Sequence, residues 1–292
     1  MRGSCKAERV GSNPTKGSKW GRIRHAMGVT IYRNQRVGEI PPTPMTSMVD
    51  DSLTPDSIKV LKQYGSMLGH PVSYLQEQKG RLIQNLLPVK KTEHQQISTS
   101  SKVELEMHTE SSFHPYRPSY VLLLCLRGDD AVATTHADDF DIVSKLSNEA
   151  ISILQKKWFT TQIDQSFRSE GQPDLHVSTS ILSRMGPDNE HNWKITYDSW
   201  FMRAVGDGCE DSRLQAEGAL QEMRDAVNSS TKDVILKTGD LLIINNDSTV
   251  HGRRPFEPRY DGTDRWVQRM LVVRNMPPPE HFDGHMITTV FE

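Results

Sequence analysis

The sequence predicts a mainly β chain, a β-sandwich or jelly roll carrying helical decoration. Three observations support this. The run Tyr120 to Leu126 (YVLLLCL), bounded by Pro118 and Gly128, is continuously apolar and too short for an ordinary helix, so it reads as a strand buried on both faces. Strand-like segments recur at Gly80–Leu87, His176–Leu182, Trp193–Tyr197, Val234–Leu236, Asp240–Asn245 and Trp266–Val273. Helical periodicity is confined to one early segment and two later ones.

The early helix starts at Thr54 as a cap with Pro55 at the first helical position. Ile58, Leu61, Gly65 and Leu68 share one face, and Gly69 and Pro71 end it. Ser147 to Trp158 reads as a second helix, with Ala150, Ile151, Leu154 and Trp158 on one side. Leu214 to Val227 is a third, with Ala216, Leu220, Met223 and Val227 in phase. Residues 39–55 form a Pro/Thr/Ser-rich connector. The first 26 residues are rich in Gly, Ser, Lys and Arg and lack the apolar core of a secretory signal, so they read as a disordered extension. Residues 27–292 then form a single domain, with a jelly-roll core at about 80–275 and a helical insertion at about 205–230.

Composition narrows the function classes. A formal net charge of -2 gives no reason to expect nucleic acid or an anionic membrane as a partner. No apolar run approaches the ~20 residues that cross a bilayer. Cys5, Cys125 and Cys209 are too few and too scattered for a disulfide framework or a structural zinc site, which fits a reducing cytoplasm.

The chemistry-bearing residues are spread over half the chain. With 11 histidines and 37 acids, roughly 1.4 His-x-acid triplets arise by chance, so context must decide among the observed His108-Thr109-Glu110, His136-Ala137-Asp138 and His281-Phe282-Asp283. The first follows the alternating stretch Val103 to Met107, and residues two apart on an extended segment project to one side. His108 and Glu110 can therefore reach one ion. His251, just beyond the strand that starts at Thr238-Gly239-Asp240, is the best third ligand. Two imidazoles and a carboxylate on one face of a divalent iron leave the opposite face open. Arg265 lies at the head of the strand Trp266 to Val273, and a hairpin joining the two strands would bring it close to His251. Its guanidinium could grip the far carboxylate of a dicarboxylic co-substrate such as 2-oxoglutarate. His114, His136 and His191 remain spare, as surface residues or neighbours of the site. Taken singly, each of these polar residues could equally be structural; their joint occurrence in this order is what points to an oxygenase.

Two blocks carry a resemblance. The segment HTESSFHPYRP from His108 to Pro118 and the segment GDLLIINNDSTVHGRRPFEPRYDGTDRWVQR from Gly239 to Arg269 resemble the metal-binding segments of clavaminate synthase-like iron(II)/2-oxoglutarate oxygenases. That group includes arginine β-hydroxylases and, more distantly, taurine dioxygenase. The resemblance runs from about Ser57 to Arg274. It implies a distorted double-stranded β-helix, with His108, Glu110 and His251 as iron ligands and Arg265 on the distal carboxylate of 2-oxoglutarate. Thr134 would assist that carboxylate. Arg269, on the same strand face as Arg265, would lie close to it and meet a substrate carboxylate. Ser98 matches a substrate-binding serine, and Gln84 is a weaker match for a contact to the substrate backbone. The implied reaction consumes 2-oxoglutarate and O2, releases succinate and CO2, and hydroxylates an unactivated C–H bond of an amino acid or a small molecule derived from one. Halogenating relatives lack the ligand carboxylate, so Glu110 favours hydroxylation.

The arginine hydroxylases hold the guanidinium between two acids two residues apart. In Tyr197-Asp198-Ser199-Trp200-Phe201-Met202, Asp198 matches the first acid and Trp200 stands at the second. A substrate cation could stack on Trp200; the alternative is that the indole faces the core. Gly206 to Asp211 reads either as a lid or as a plain exposed loop. Desaturation or cyclisation by the same iron site remains open, as does a non-catalytic jelly-roll binding protein with a vestigial metal site.

Overall fold

The computed structural model describes residues 7–9, 28–164, 167, 174–185, 193–289 and 291. Within the segment expected to be a disordered extension, β1 (Ala7–Arg9) pairs with β2 (Val29–Tyr32); the rest of residues 1–26 lies outside the described residues. Helix α1 (Pro55–Leu68) begins and ends where Thr54-Pro55 and Gly69 place its boundaries. Then come β3 (His70–Tyr74), β4 (Gln84–Leu86), β5 (Leu105–His108), β6 (Tyr120–Arg127) and β7 (Ala133–Asp138). Two short helices follow, α2 (Asp139–Val143) and α3 (Asn148–Leu154), then β8 (Phe159–Gln162), β9 (His176–Thr179), β10 (Leu182–Arg184), β11 (Trp193–Ile195) and β12 (Arg203–Ala204). The long helix α4 (Glu210–Ser230) precedes β13 (Lys232–Ile235), β14 (Leu241–Asn245), β15 (Thr249–Arg253) and β16 (Trp266–Val273), and the short β17 (Phe282–Asp283) and β18 (Met286–Ile287) end the fold.

The fold is of the jelly-roll type, built on a large and a small sheet. The large sheet runs β1-β2-β14-β6-β16-β3-β18-β17, with β4 also on β16; the small one runs β13-β7-β15-β5. Side chains alternate across each strand and thereby separate three cores. On β6, Leu122, Leu124 and Leu126 pack with Ile58 and Leu61 of α1. Val121, Leu123 and Cys125 point the other way and pack with Val234 of β13, between the sheets. On the small sheet, Met107, Ala137 and Val250 face outward onto α2, α3 and α4. The layers are therefore helix, sheet, interior, sheet, helices. The apolar run of β6 is buried on both faces because it lies between two of these cores.

Several expected elements change length. The strand expected over Gly80–Leu87 shrinks to β4, because Gln78 and Lys79 take positive φ of 44° and 59° and the chain turns through Gly80 first. The helix expected to reach Trp158 stops at Leu154, while Ser147 caps it as its residue type suggests, accepting from the Ala150 amide at 3.1 Å. The single strand expected over His176–Leu182 divides into β9 and β10, which pair with different partners, β8 and β11. Helix α4 extends the expected Leu214–Val227 by four residues at its start and three at its end.

Asp139 gives the fold a pH dependence. Its carboxylate accepts from the Trp193 amide at 2.9 Å, and burial pushes its pKa up to about 6. A folded-state pKa above the unfolded one stabilises the fold at low pH, and this contribution is lost as pH rises through about 6. Asp139→Asn keeps an acceptor for Trp193 and removes the charge. We expect the variant to melt higher than wild type at roughly pH 8 and to lose that advantage by roughly pH 4, measured as Tm against pH.

Candidate iron and co-substrate site

The site lies between the two sheets. His108 and His251 are directly opposed in the antiparallel ladder of β5 and β15, so both imidazoles project to the same face. Their ring centroids lie 4.5 Å apart. Gly252 follows His251 where any Cβ would come within 2.4 Å of the Leu105 carbonyl oxygen, so its lack of a side chain lets β15 fit beside β5. The His108 Nδ1 bonds the Glu106 carbonyl at 2.7 Å, which leaves Nε2 with its lone pair for a metal.

Glu110 joins them from outside the ladder. It lies two residues past the end of β5, in a turn where Ser111 takes a φ of 51°. One carboxylate oxygen stands 3.8 Å from His251 Nε2 and 2.8 Å from an Arg269 Nη. Ligand atoms of His108, Glu110 and His251 all lie within 4.8 Å of one another, and no other such group of three occurs among the described residues. Burial would raise the Glu110 pKa, but Arg269, His251 and His108 outweigh it and hold the group well below the usual carboxylate range. Burial and His108 push His251 down, toward the neutral form that ligates metal. The donor set fits a divalent iron with open positions.

The two arginines at the site differ in their partners. Arg265 is 8% exposed and donates to Thr134 Oγ1 at 3.0 Å. Among the described residues no carboxylate lies within ion-pair distance of it. A buried guanidinium without an anion is costly, so this is where an incoming carboxylate is best received. Arg269, by contrast, is well supplied. It donates through Nε to Gln84 at 2.8 Å and through its Nη groups to Glu77 at 2.7 Å and Glu110 at 2.8 Å.

A cavity of about 370 Å³ connects these groups and is large enough for two small co-substrates. His108, Glu110, His251, Arg265, Arg269 and Thr134 line it, as do Ser98, Gln84, Asp198 and Trp200. All ten residues singled out in the sequence thus face one space. Trp200 is 52% exposed, so the reading in which the indole faces the core is set aside. The reason is local: Asp198 Oδ1 accepts from the amides of both Trp200 and Phe201 at 2.9 Å, and this tight turn directs the indole outward.

Several other expectations are corrected or narrowed. His251 sits within its own strand, β15, not beyond one. β14 and β16 flank β6 and do not pair with each other, so no hairpin joins them; His251 and Arg265 approach from opposite sheets. Glu110 is in a turn, not at an extended i+2 position. His114 and His136 are 3% and 0% exposed and are not surface residues, while His191 lies outside the described residues. Gly206 to Asp211 does not line the cavity; its Asp207 amide donates to Ser212 Oγ at 3.0 Å, at the start of α4.

Sequence reasoning missed Glu77 and Arg253. Glu77 reaches the cavity from the turn before Gln78 and Lys79, and no motif marks it. Burial raises its pKa against the pull of Arg269. Arg253 binds the Ser100 carbonyl at 2.6 Å and that of Val103 at 3.1 Å, tying the loop that carries Ser98 to β15.

The contrast between the two guanidiniums is testable. We expect Arg265→Ala to raise the KM for 2-oxoglutarate by about a hundredfold, the scale of a lost charge-assisted pair. Arg265→Lys should restore only part of this, since an ammonium cannot form two parallel bonds. A 2-oxoglutarate titration by succinate release measures both.

Comparisons with known proteins identify relatives of the chain. An L-lysine 3-hydroxylase of Catenulispora acidiphila is 31% identical over 250 residues, covering 84% of this chain and 67% of the relative. A crystal structure of asparagine oxygenase with Fe(II), (2S,3S)-3-hydroxyasparagine and succinate superposes with a TM-score of 0.79 at 28% identity, covering 92% of this chain and 83% of that one. A structure of the non-heme iron oxygenase OrfP with Fe and alpha-ketoglutaric acid gives a TM-score of 0.75 at 31% identity, covering 88% and 77%. Residues 51–271 match the family described as taurine catabolism dioxygenase TauD, TfdA, and the chain belongs to that family.

Proposed function

We propose that the protein is an iron(II)/2-oxoglutarate-dependent hydroxylase of a free amino acid or an amino-acid-derived small molecule. The observation that carries this reading is the His108–Glu110–His251 cluster sharing one cavity with a buried guanidinium, Arg265, that has no ion-pair partner among the described residues. Iron, when bound, would supply the oxidising chemistry by which O2 converts 2-oxoglutarate to succinate and CO2, one oxygen atom entering succinate and the other a C–H bond of the substrate.

The protein's own residues bind and orient. Arg265 and Thr134 receive the far carboxylate of 2-oxoglutarate at the floor of the cavity. His108 Nε2 is held toward the metal by the bond from Nδ1 to Glu106. On the substrate side, Arg269 offers positive charge beside Glu110, with Gln84 and Glu77 fixing its plane. Ser98 and Asp198 add polar contacts, and Trp200 covers the mouth. Burial of these groups excludes bulk water from the reacting carbon. Relatives named for lysine and asparagine share a free amino acid as substrate, while their side chains differ in charge. That supports the amino-acid class and leaves the side chain to experiment.

The test is succinate release from 2-oxoglutarate with iron(II) and ascorbate across the free proteinogenic amino acids plus ornithine, with product mass. At least one amino acid should stimulate release and gain one oxygen. No stimulation by any of them would contradict the free-amino-acid reading and leave the amino-acid-derived substrate, and loss of two hydrogens would replace hydroxylation by desaturation or ring closure. We expect His108→Ala to lower the coupled rate by at least about a thousandfold, since the metal site then lacks one of its three protein ligands.

A further inference from the structure

The three candidate ligands are not held alike. His108 and His251 are each fixed by a strand ladder, but Glu110 stands in a turn. Its neighbour Thr109 is tied to Tyr197, through its amide at 2.8 Å and its hydroxyl at 3.1 Å. The peptide groups of Glu110 itself meet one side chain, that of Asn246, which is fully buried.

We propose that Asn246 is the positioning residue for Glu110, and that the turn containing it sets the spacing between the carboxylate and His251. This rests on the reading of His108, Glu110 and His251 as iron ligands. Asn246 Oδ1 accepts from the Glu110 amide at 2.7 Å, and Nδ2 donates to the Glu110 carbonyl at 3.1 Å. The same Nδ2 donates to the Pro118 carbonyl at 2.8 Å, which fixes the far end of the loop carrying Glu110. One carboxamide thus holds both sides of the ligand's backbone and uses its acceptor and both donors. A carboxylate in its place could not donate to the two carbonyls. It would also add a second negative charge near the acid that faces the metal.

The clamp is itself anchored. Asn246 belongs to the buried turn Asn245-Asn246-Asp247-Ser248 between β14 and β15. The Asp247 carboxylate meets Arg274, Lys194 at 3.4 Å and Arg117 at 3.8 Å. The Asp247 carbonyl accepts from the Ile195 amide at 2.7 Å, and the Ser248 carbonyl from the Asp139 amide at 2.8 Å. The chain then runs straight into β15, so His251 follows Asn246 by five residues. The same turn therefore grips one ligand through a side chain and leads into another along the backbone. Removing the clamp leaves an amide and two carbonyls without partners in a dry interior, and the carboxylate loses its fixed origin.

The experiment measures the iron(II) dissociation constant anaerobically for wild type, Asn246→Ala, Asn246→Asp, Glu110→Ala and Asp240→Asn. Apo-protein melting curves and the visible spectrum of the cobalt(II)-loaded proteins accompany it. Asp240→Asn is the stability comparator, because it weakens a part-buried ion pair to Arg33 at the opposite end of β14. Both Asn246 variants should bind iron about 10- to 100-fold more weakly and alter the cobalt spectrum. Asp240→Asn should lower Tm without changing either. If Asn246→Ala does not fold, Asn246→Asp decides, since it keeps the volume and the acceptor for Glu110. Folded Asn246 variants with iron affinity within about twofold of wild type, beside a Glu110→Ala protein that loses iron, would overturn the proposal. Iron binding retained in Glu110→Ala would instead overturn the ligand assignment on which it rests.

Discussion

The site depends first on one pairing register, that of β5 against β15. With His108 opposite His251, two imidazoles meet on the inner face of the small sheet. A slip of one residue would turn His251 outward and bring Val250 inward, because side chains alternate. The outward face of the small sheet already packs Met107, Ala137 and Val250 against the helical layer, so hydrophobic burial on one side fixes the geometry of the candidate ligands on the other. Gly252 permits the close approach that this register requires. The large sheet then closes the cavity from the opposite side with β16, which carries Arg269 in the strand and Arg265 just before it.

Charge organises the cavity into two ends. Among the described residues, buried Arg265 has the Thr134 hydroxyl and no carboxylate within ion-pair distance, which favours an external carboxylate. Arg269, four residues on, is already neutralised by Glu77 and Glu110 and spread over Gln84. Two guanidiniums lining one cavity thus differ because their surroundings differ. A carboxylate reaching Arg269 would share it with groups that already hold it, whereas one reaching Arg265 would meet no ion-pair competitor among the described residues. The difference gives a physical reason for two carboxylate-bearing small molecules to sort themselves within one space.

Much of this was legible in the sequence, and the reasons are specific. β16 matches its expected bounds because Trp266 to Val273 is long, apolar and preceded by turn residues. Helix α1 matches because Thr54-Pro55 and Gly69 are strong punctuation. The cluster of candidate ligands was legible because metal chemistry restricts residue types and the two motif blocks are long. The connectivity around them was not. Periodicity shows that a segment is a strand without showing its partner, so it does not reveal that β14 and β16 each pair with β6 and not with each other. Glu77 and Asn246 were missed for a related reason: neither residue type in its own local context marks a site, and each acquires its role only when distant segments meet. Trp200 was ambiguous for a third reason, since an indole suits both a core and a cavity mouth; the Asp198 turn decides between them.

The most direct measurement of the central claim is the iron-edge anomalous diffraction signal from crystals of the iron(II)-loaded protein. The account requires a single strong peak bonded to imidazole nitrogens of His108 and His251 and to the Glu110 carboxylate, inside the cavity that Arg265 borders. A peak that omits either imidazole, or that lies outside this cavity, would contradict it.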